Sequence, residues 1–137
     1  MPEAKTVDTS LVRRFSELRS DDVPEVGGKN ASLGEMVSQL SAEGVRVPDG
    51  FATTADAYRA FLEYNDLEPR LREFTEERES GDRSLAETGR AIREAIRGGE
   101  IPGELAEAIR DAYRRLCRET GRDELDVAVR SSATAED

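Results

Sequence analysis

The stretch Val26-Gly27-Gly28-Lys29-Asn30-Ala31-Ser32-Leu33-Gly34-Glu35-Met36 decides how the amino-terminal part of this chain folds. Its paired glycines allow a tight turn and a close approach of the backbone to a ligand, because glycine has no Cβ. Apolar residues then recur at the helical spacing i, i+3, i+4 and i+7. They are Leu33, Met36, Val37 and Leu40. The stretch therefore predicts a glycine turn that leads directly into an amphipathic helix.

The start of this helix suits a phosphate group. Ser32 and Glu35 have the spacing of a capping box, which predicts a start between Asn30 and Ser32. Gly44 is a suitable residue to end the helix. Free backbone N–H groups and the helix dipole attract anions at such a start, and Lys29 adds a full positive charge.

The glycine turn is not a Walker A loop, which would need glycine at position 23 and serine or threonine at position 30. The chain has Val23 and Asn30 there. Taken alone, the three residues Gly27, Gly28 and Lys29 are more typical of a plain turn with a solvated lysine than of a phosphate site. The rest of the chain has to decide between the two interpretations.

Composition limits the class of protein. The 137 residues suffice for one modest domain, and the net charge of −10 argues against a general nucleic-acid binder. No apolar run approaches the roughly 18 residues of a membrane span, and residues 1–8 do not resemble a secretory signal. A single cysteine, Cys117, excludes an internal disulfide and favours a reducing compartment, so we expect a cytoplasmic protein.

The charged and titratable residues are unevenly chosen. Lysine occurs only at Lys5 and Lys29, while the other 18 basic residues are arginine. Strong acidity with little lysine is typical of a salt-rich cytoplasm, and it makes the placement of Lys29 more informative. The sequence has no histidine, which excludes a phosphohistidine and a Ser-His-Asp triad within these residues.

The remaining elements are predicted from caps and turns. Residues 1–10 are expected to form a loose tail, and Leu11–Leu18 either a strand or a short helix. Pro48-Asp49-Gly50 predicts a turn in which Gly50 supplies a positive φ. Thr53 or Thr54 is expected to cap a helix that carries Ala57 and Phe61.

The second half of the chain is predicted to be helical with one strand. Residues 67–74 continue a helical pattern, and 76–83 are expected to be an exposed, charged link. Ser84 and Glu87 form a capping box for a helix with Leu85, Ile92 and Ile96 facing inward. Pro102 opens another helix, and the valine-rich alternation in residues 125–130 predicts a strand that ends at Arg130.

Three separated stretches carry a family resemblance: residues 26–36, residues 47–62 (VPDGFATTADAYRAFL) and residues 127–137 (VAVRSSATAED). Together they closely resemble the amino-terminal nucleotide-binding region of phosphoenolpyruvate synthase, the pyruvate, water dikinase. Pyruvate phosphate dikinase and rifampicin phosphotransferase share this architecture. The resemblance implies an α+β fold, mostly helical with a few strands, that forms the first subdomain of an ATP-grasp-like domain over residues 11–137.

The resemblance also implies the functional residues. Lys29 and Arg130 would contact the phosphates of ATP, while Gly27 and Gly28 would allow close approach of the backbone. The complete enzymes of this kind convert ATP, pyruvate and water into AMP, phosphoenolpyruvate and phosphate, using magnesium and a histidine on a swivelling domain. This chain is short by comparison, so magnesium ligands and the remaining domains are expected outside it, and the chain alone is expected to be inactive.

Other interpretations remain open at this point. The same domain could belong to another phosphotransferase, such as one that inactivates an antibiotic. The chain could instead be a stand-alone binding module that docks on a full-length partner, or a remnant without a ligand. The acceptor substrate is not encoded in these residues.

Overall fold

A computed structural model describes residues 11–135, which form two compact units. The first comprises residues 11–57 and 103–135, and the second comprises residues 58–102. Helices dominate, and the described sheet has two strands, which agrees with the predicted α+β class. The predicted tail at 1–10 lies outside the described residues.

The elements are β1 (Val12–Arg14), α1 (Val23–Val26), α2 (Gly28–Ala42), β2 (Phe51–Thr53), α3 (Ala55–Tyr64), α4 (Leu67–Glu79), α5 (Leu85–Arg97) and α6 (Gly103–Thr120).

The two strands of the first unit are short and antiparallel, with Arg13 opposite Ala52. A 3-10 turn, Phe15–Glu17, follows β1 directly, so the segment predicted as strand or short helix contains both a strand and a helical turn. The backbone N–H of Phe15 donates to the Gly50 carbonyl at 3.0 Å, which extends the pairing beyond the strand.

The main core of the first unit joins this sheet to α2. Leu18 is fully buried and packs with Val26, Ala31 and Ala52. Gly34 makes the close packing possible, because a Cβ at this position would lie 2.5 Å from Leu18 Cβ and 2.8 Å from the Leu18 carbonyl oxygen. The helix can approach the turn after β1 only because residue 34 has no side chain.

Helix α2 starts earlier than its sequence predicts. It begins at Gly28, with Gly27 as its N-cap residue, so the predicted start between Asn30 and Ser32 is wrong. Ser32 and Glu35 lie inside the helix, and Glu35 instead accepts a hydrogen bond of 2.8 Å from the Ser20 backbone N–H. The prediction failed because the positive φ of Gly27, which is +89°, ends α1 and starts α2 at the same residue.

The segment before β2 is also different from its prediction. Residues 45–50 have no assigned turn, and the φ of Gly50 is not positive. Glycine is required there for space, because a Cβ at position 50 would lie 2.8 Å from the Phe15 ring. The predicted cap of α3 is confirmed for Thr54, whose Oγ1 accepts a 3.2 Å hydrogen bond from the Ala57 N–H.

Within the second unit, α4 and α5 pack together. The predicted charged link is partly wrong, because α4 continues to Glu79. Arg83 then folds back, forming an ion pair with Glu77 at 2.8 Å and lying 5.1 Å from the centre of the Phe74 ring. An arginine that satisfies both an acid and an aromatic face holds the turn between the two helices.

The capping box of α5 is confirmed, since Ser84 Oγ accepts from the Glu87 N–H and Glu87 Oε1 accepts from the Ser84 N–H. The predicted inward position of Leu85 is wrong, because this side chain is 67% exposed. Leu85 is the first residue of the helix, and burial begins one turn later at Thr88. Helix α6, in the first unit, begins at Gly103 directly after Pro102 and buries Leu105 and Leu116.

Candidate functional site

Two motifs that are far apart in the sequence meet in the first unit. The Gly27–Gly28 turn contacts residues 132 and 133: the Gly28 N–H donates to the Ala133 carbonyl over a long 3.4 Å. A Cβ at position 27 would lie 2.2 Å from Ser132 Oγ and 3.0 Å from the backbone of Ala133. Two of the small residues that follow Arg130 therefore lie against the start of α2.

The two glycines of this turn face different surroundings. The space in which a side chain of Gly27 would lie is filled by Ser132 and Ala133. At Gly28, by contrast, no atom from outside its chain neighbours and the backbone of its own helix lies within 4 Å of the position that a Cβ would occupy. Gly27 thus allows the chain to approach itself closely, and the open side of the turn is at Gly28.

Lys29 is exposed in the first turn of α2, and it forms no ion pair with any of residues 11–135. Asn30, the next residue, donates from its side-chain amide to the Val26 carbonyl at 2.9 Å, which links α2 to α1. A helix start with an unpaired cation beside it is an electrostatically favourable place for an anion. The carboxylates of residues 11–135 therefore leave the charge of Lys29 available.

Arg130 is exposed on a segment without helix or strand, residues 125–135, which we call the arm. The predicted strand at 125–130 is wrong, because these residues have no regular secondary structure. Alternating valines form a strand only beside a partner, and the sheet of the described residues consists of β1 and β2. Val129 is consequently 91% exposed, and Arg130 has no ion-pair partner within the described part of the chain.

Ser132 lies at the contact between the two motifs, a position that the sequence did not reveal. Its Oγ is buried and has no hydrogen-bond partner among residues 11–135. Buried hydroxyl groups are nearly always paired, so an unpaired one beside a glycine turn is unusual. The sequence offers one relevant signal, the run of small residues that follows Arg130, because small side chains allow two segments to approach closely.

A concave region of the first unit, of about 500 Å³, is lined by none of the predicted site residues. Its arginines are already neutralised. Arg13 pairs with Glu25 at 2.5 Å, and Arg14 pairs with Asp49 at 3.0 Å and with Glu119. Burial opposes the charge of Arg14, yet its hydrogen bonds to Glu119 and Asp49 prevail and raise its pKa above the ordinary value. The paired charges indicate a structural network in this cavity.

Residues 11–135 contain no group of three or more acidic, cysteine or histidine side chains arranged to hold a metal ion. None of their helices combines the length and the apolar character needed to cross a membrane.

Comparison with known proteins gives a consistent family. Residues 23–137 match the family described as "Pyruvate phosphate dikinase, AMP/ATP-binding domain". The phosphoenolpyruvate synthase of Aquifex aeolicus is 47% identical over 135 residues, which are 96% of this chain and 16% of the relative. That of Pseudomonas aeruginosa is 52% identical over 124 residues, 90% of this chain and 15% of the relative. That of Escherichia coli is 46% identical over 128 residues, 93% of this chain and 16% of the relative.

The chain thus spans about a sixth of the length of the relatives that it matches. The matched region contains both the glycine turn with Lys29 and the arm with Arg130.

Proposed function

Because the chain belongs to the pyruvate phosphate dikinase AMP/ATP-binding domain family, we propose that it forms part of the ATP site of a phosphoenolpyruvate synthase. Lys29 and Arg130 are the residues that bind the nucleotide phosphates in this proposal. Gly27 and Gly28 form the turn from which Lys29 projects. The region is then the first subdomain of an ATP-grasp-like domain over residues 11–137.

The contact between the Gly27–Gly28 turn and residues 132–133 carries this proposal. Lys29 follows the turn by one residue, and Arg130 precedes the contacting segment by two. Both cations are exposed, and neither is neutralised by an acid among residues 11–135. Two unpaired cations on segments that contact each other supply the charge that a polyphosphate requires.

The two cations offer different chemistry to a phosphate. Lysine acts as a compact point charge, whereas the planar guanidinium of arginine binds two phosphate oxygens at once. Positive groups held in place before the reaction stabilise the charge that develops on a transferred phosphoryl group. The open side of the turn at Gly28 and the start of α2 fit the same anionic group.

The other parts of the reaction belong to the rest of a larger enzyme in this proposal. Magnesium ligands, the phosphoryl-carrying histidine and the pyruvate site would come from further domains, and the chain alone would not catalyse the reaction. The names of the relatives favour the synthase, while the name of the family keeps pyruvate phosphate dikinase as the second candidate. The single cysteine is in keeping with a cytoplasmic enzyme.

Calorimetric titration of the chain with ATP and magnesium at high salt tests the proposal. We expect saturable binding that weakens by about tenfold or more in Lys29→Ala and in Arg130→Ala, because each removes a charge-assisted hydrogen bond. Arg110→Ala is the matched control, since Arg110 is an exposed cation on α6 paired with Glu107. A folded wild-type chain that gives no saturable heat, or variants that bind like wild type, would contradict the proposal.

A further inference from the structure

The arm is attached to the rest of the first unit on both sides of Arg130. At its beginning, the Leu125 carbonyl accepts a 2.8 Å hydrogen bond from the Tyr113 hydroxyl. Near its end, Ser132 and Ala133 lie against the Gly27–Gly28 turn. Residues 126–131 between these two attachments make no regular secondary structure. The position of Arg130 therefore depends on the attachments and not on a strand.

Tyr113 is well suited to act as the first attachment. It lies on α6, a helix of 18 residues that is packed through Leu105 and Leu116. The backbone that carries the tyrosine ring is therefore held in place. Cys117 lies one turn later, and its interaction with the phenol is the main cause that raises the pKa of Tyr113 above its ordinary value. A protonated phenol has one hydrogen to donate, and the Leu125 carbonyl accepts it.

We propose that Tyr113 is a positioning residue for nucleotide binding: its hydroxyl fixes the beginning of the arm and so holds Arg130 near the start of α2. This inference rests on the proposed function. An arm attached at one end samples many more conformations than an arm attached at both, and ATP would have to restrict them on binding. Loss of one neutral hydrogen bond far from the ligand should therefore weaken binding through Arg130.

A double-mutant cycle in the calorimetric titration tests this route. Tyr113→Phe removes the hydroxyl and leaves the ring, and we expect ATP to bind roughly three- to tenfold more weakly. In the Arg130→Ala background the same change should have no further effect, because an effect exerted through Arg130 disappears with Arg130. Tyr58→Phe is the matched control, since Tyr58 is 50% exposed, and it should bind like wild type.

The outcomes separate positioning from general stability. Equal losses in both backgrounds would show that Tyr113 acts on folding alone, and no loss in either would show that its hydroxyl does not matter. Either result would overturn the inference.

Trypsin cleavage after Arg130 gives a second measurement that does not depend on ATP. We expect the bond between Arg130 and Ser131 to be cut several times faster in Tyr113→Phe than in wild type or in Tyr58→Phe. Faster cleavage in a chain that binds no ATP would refute the proposed function while it supports the attachment. Unchanged cleavage would refute the attachment itself.

Discussion

At the scale of single residues, two adjacent glycines have unlike roles. Gly27 combines a φ of +89° with the closest approach of another segment, Ser132. Few side chains tolerate such a backbone conformation, and none would fit the space. Gly28 has ordinary helical geometry and nothing near its missing side chain. The sequence shows two glycines, and only the structure separates the one required by the fold.

Alanine at these two positions should therefore affect the free energy of unfolding differently. Gly27→Ala should lower the free energy of unfolding by about 2 kcal/mol or more, through backbone strain and the overlap with Ser132. Gly28→Ala should leave the stability unchanged or raise it by up to about 1 kcal/mol, because alanine favours a helix. Urea unfolding followed by circular dichroism measures both. A stable Gly27→Ala protein would show that the arm does not lie against the turn.

At the scale of elements, the capping box of α5 links stability to pH. The hydrogen bond from the Ser84 backbone N–H, followed by that from its side chain, lowers the pKa of Glu87 below its ordinary value of 4.5. A carboxyl whose pKa is lower in the folded state stabilises the fold above the pKa of the unfolded state. That contribution disappears as the pH falls through the folded pKa.

Glu87→Gln should remove this pH dependence. Glutamine preserves the geometry of the capping box and does not titrate. We therefore expect the wild-type chain to lose stability relative to Glu87→Gln as the pH falls below about 4.5, and thermal unfolding between pH 6 and pH 3, both approximate limits, measures the difference. Glu94→Gln, in an exposed position of the same helix, should track wild type. If the unfolding temperatures of wild type and Glu87→Gln fall in parallel as the pH is lowered, Glu87 is not the source of this pH dependence.

Elements whose signals are local could be predicted from the sequence. The caps at Ser84 and Thr54 satisfy N–H groups three residues away, so a short window of sequence contains both partners. The start of α2 could not be predicted, because a spurious capping box at Ser32 competed with the turn at Gly27. The strand at 125–130 failed because a strand also needs a partner, which its own residues do not specify.

The candidate site also has features that the sequence predicts and features that it does not. Lys29 followed from the glycine turn as well as from the family resemblance, and Arg130 followed from the resemblance. Their exposure agrees with that interpretation, while their role in binding ATP stays a prediction. The attachments of the arm, at Tyr113 and at Ser132, were not predicted because each joins segments that lie far apart in the sequence. Neither the periodicity of apolar residues nor the spacing of residues within a motif indicates such contacts.

At the scale of the whole molecule, the charge is strongly unbalanced. The chain carries 30 acidic and 20 basic residues, and part of the basic set is used in ion pairs such as Arg14 with Asp49. The unpaired surplus of carboxylates repels itself in the folded state, and added salt screens this repulsion. The same salt weakens exposed ion pairs, but these contribute little individually.

Salt should accordingly stabilise the protein. We expect the midpoint of thermal unfolding to rise as KCl increases from about 0.1 M to about 1 M, where the Debye length falls from roughly 10 Å to roughly 3 Å. A variant with glutamine at Glu73, Glu76 and Glu79, all exposed on α4, loses three negative charges and should gain less from salt. A midpoint that falls with KCl would show that attraction between charges outweighs repulsion.

Two glycines of the first unit predict different patterns of substitution at their positions in related proteins. At Gly34 the obstructing atoms include the Leu18 and Phe15 carbonyl oxygens, which every amino acid possesses, so no exchange elsewhere could make room for a side chain. At Gly50 the obstruction is the Phe15 ring alone. We therefore expect glycine at position 34 in every related protein. At position 50 we expect a residue other than glycine only where position 15 holds a residue smaller than phenylalanine.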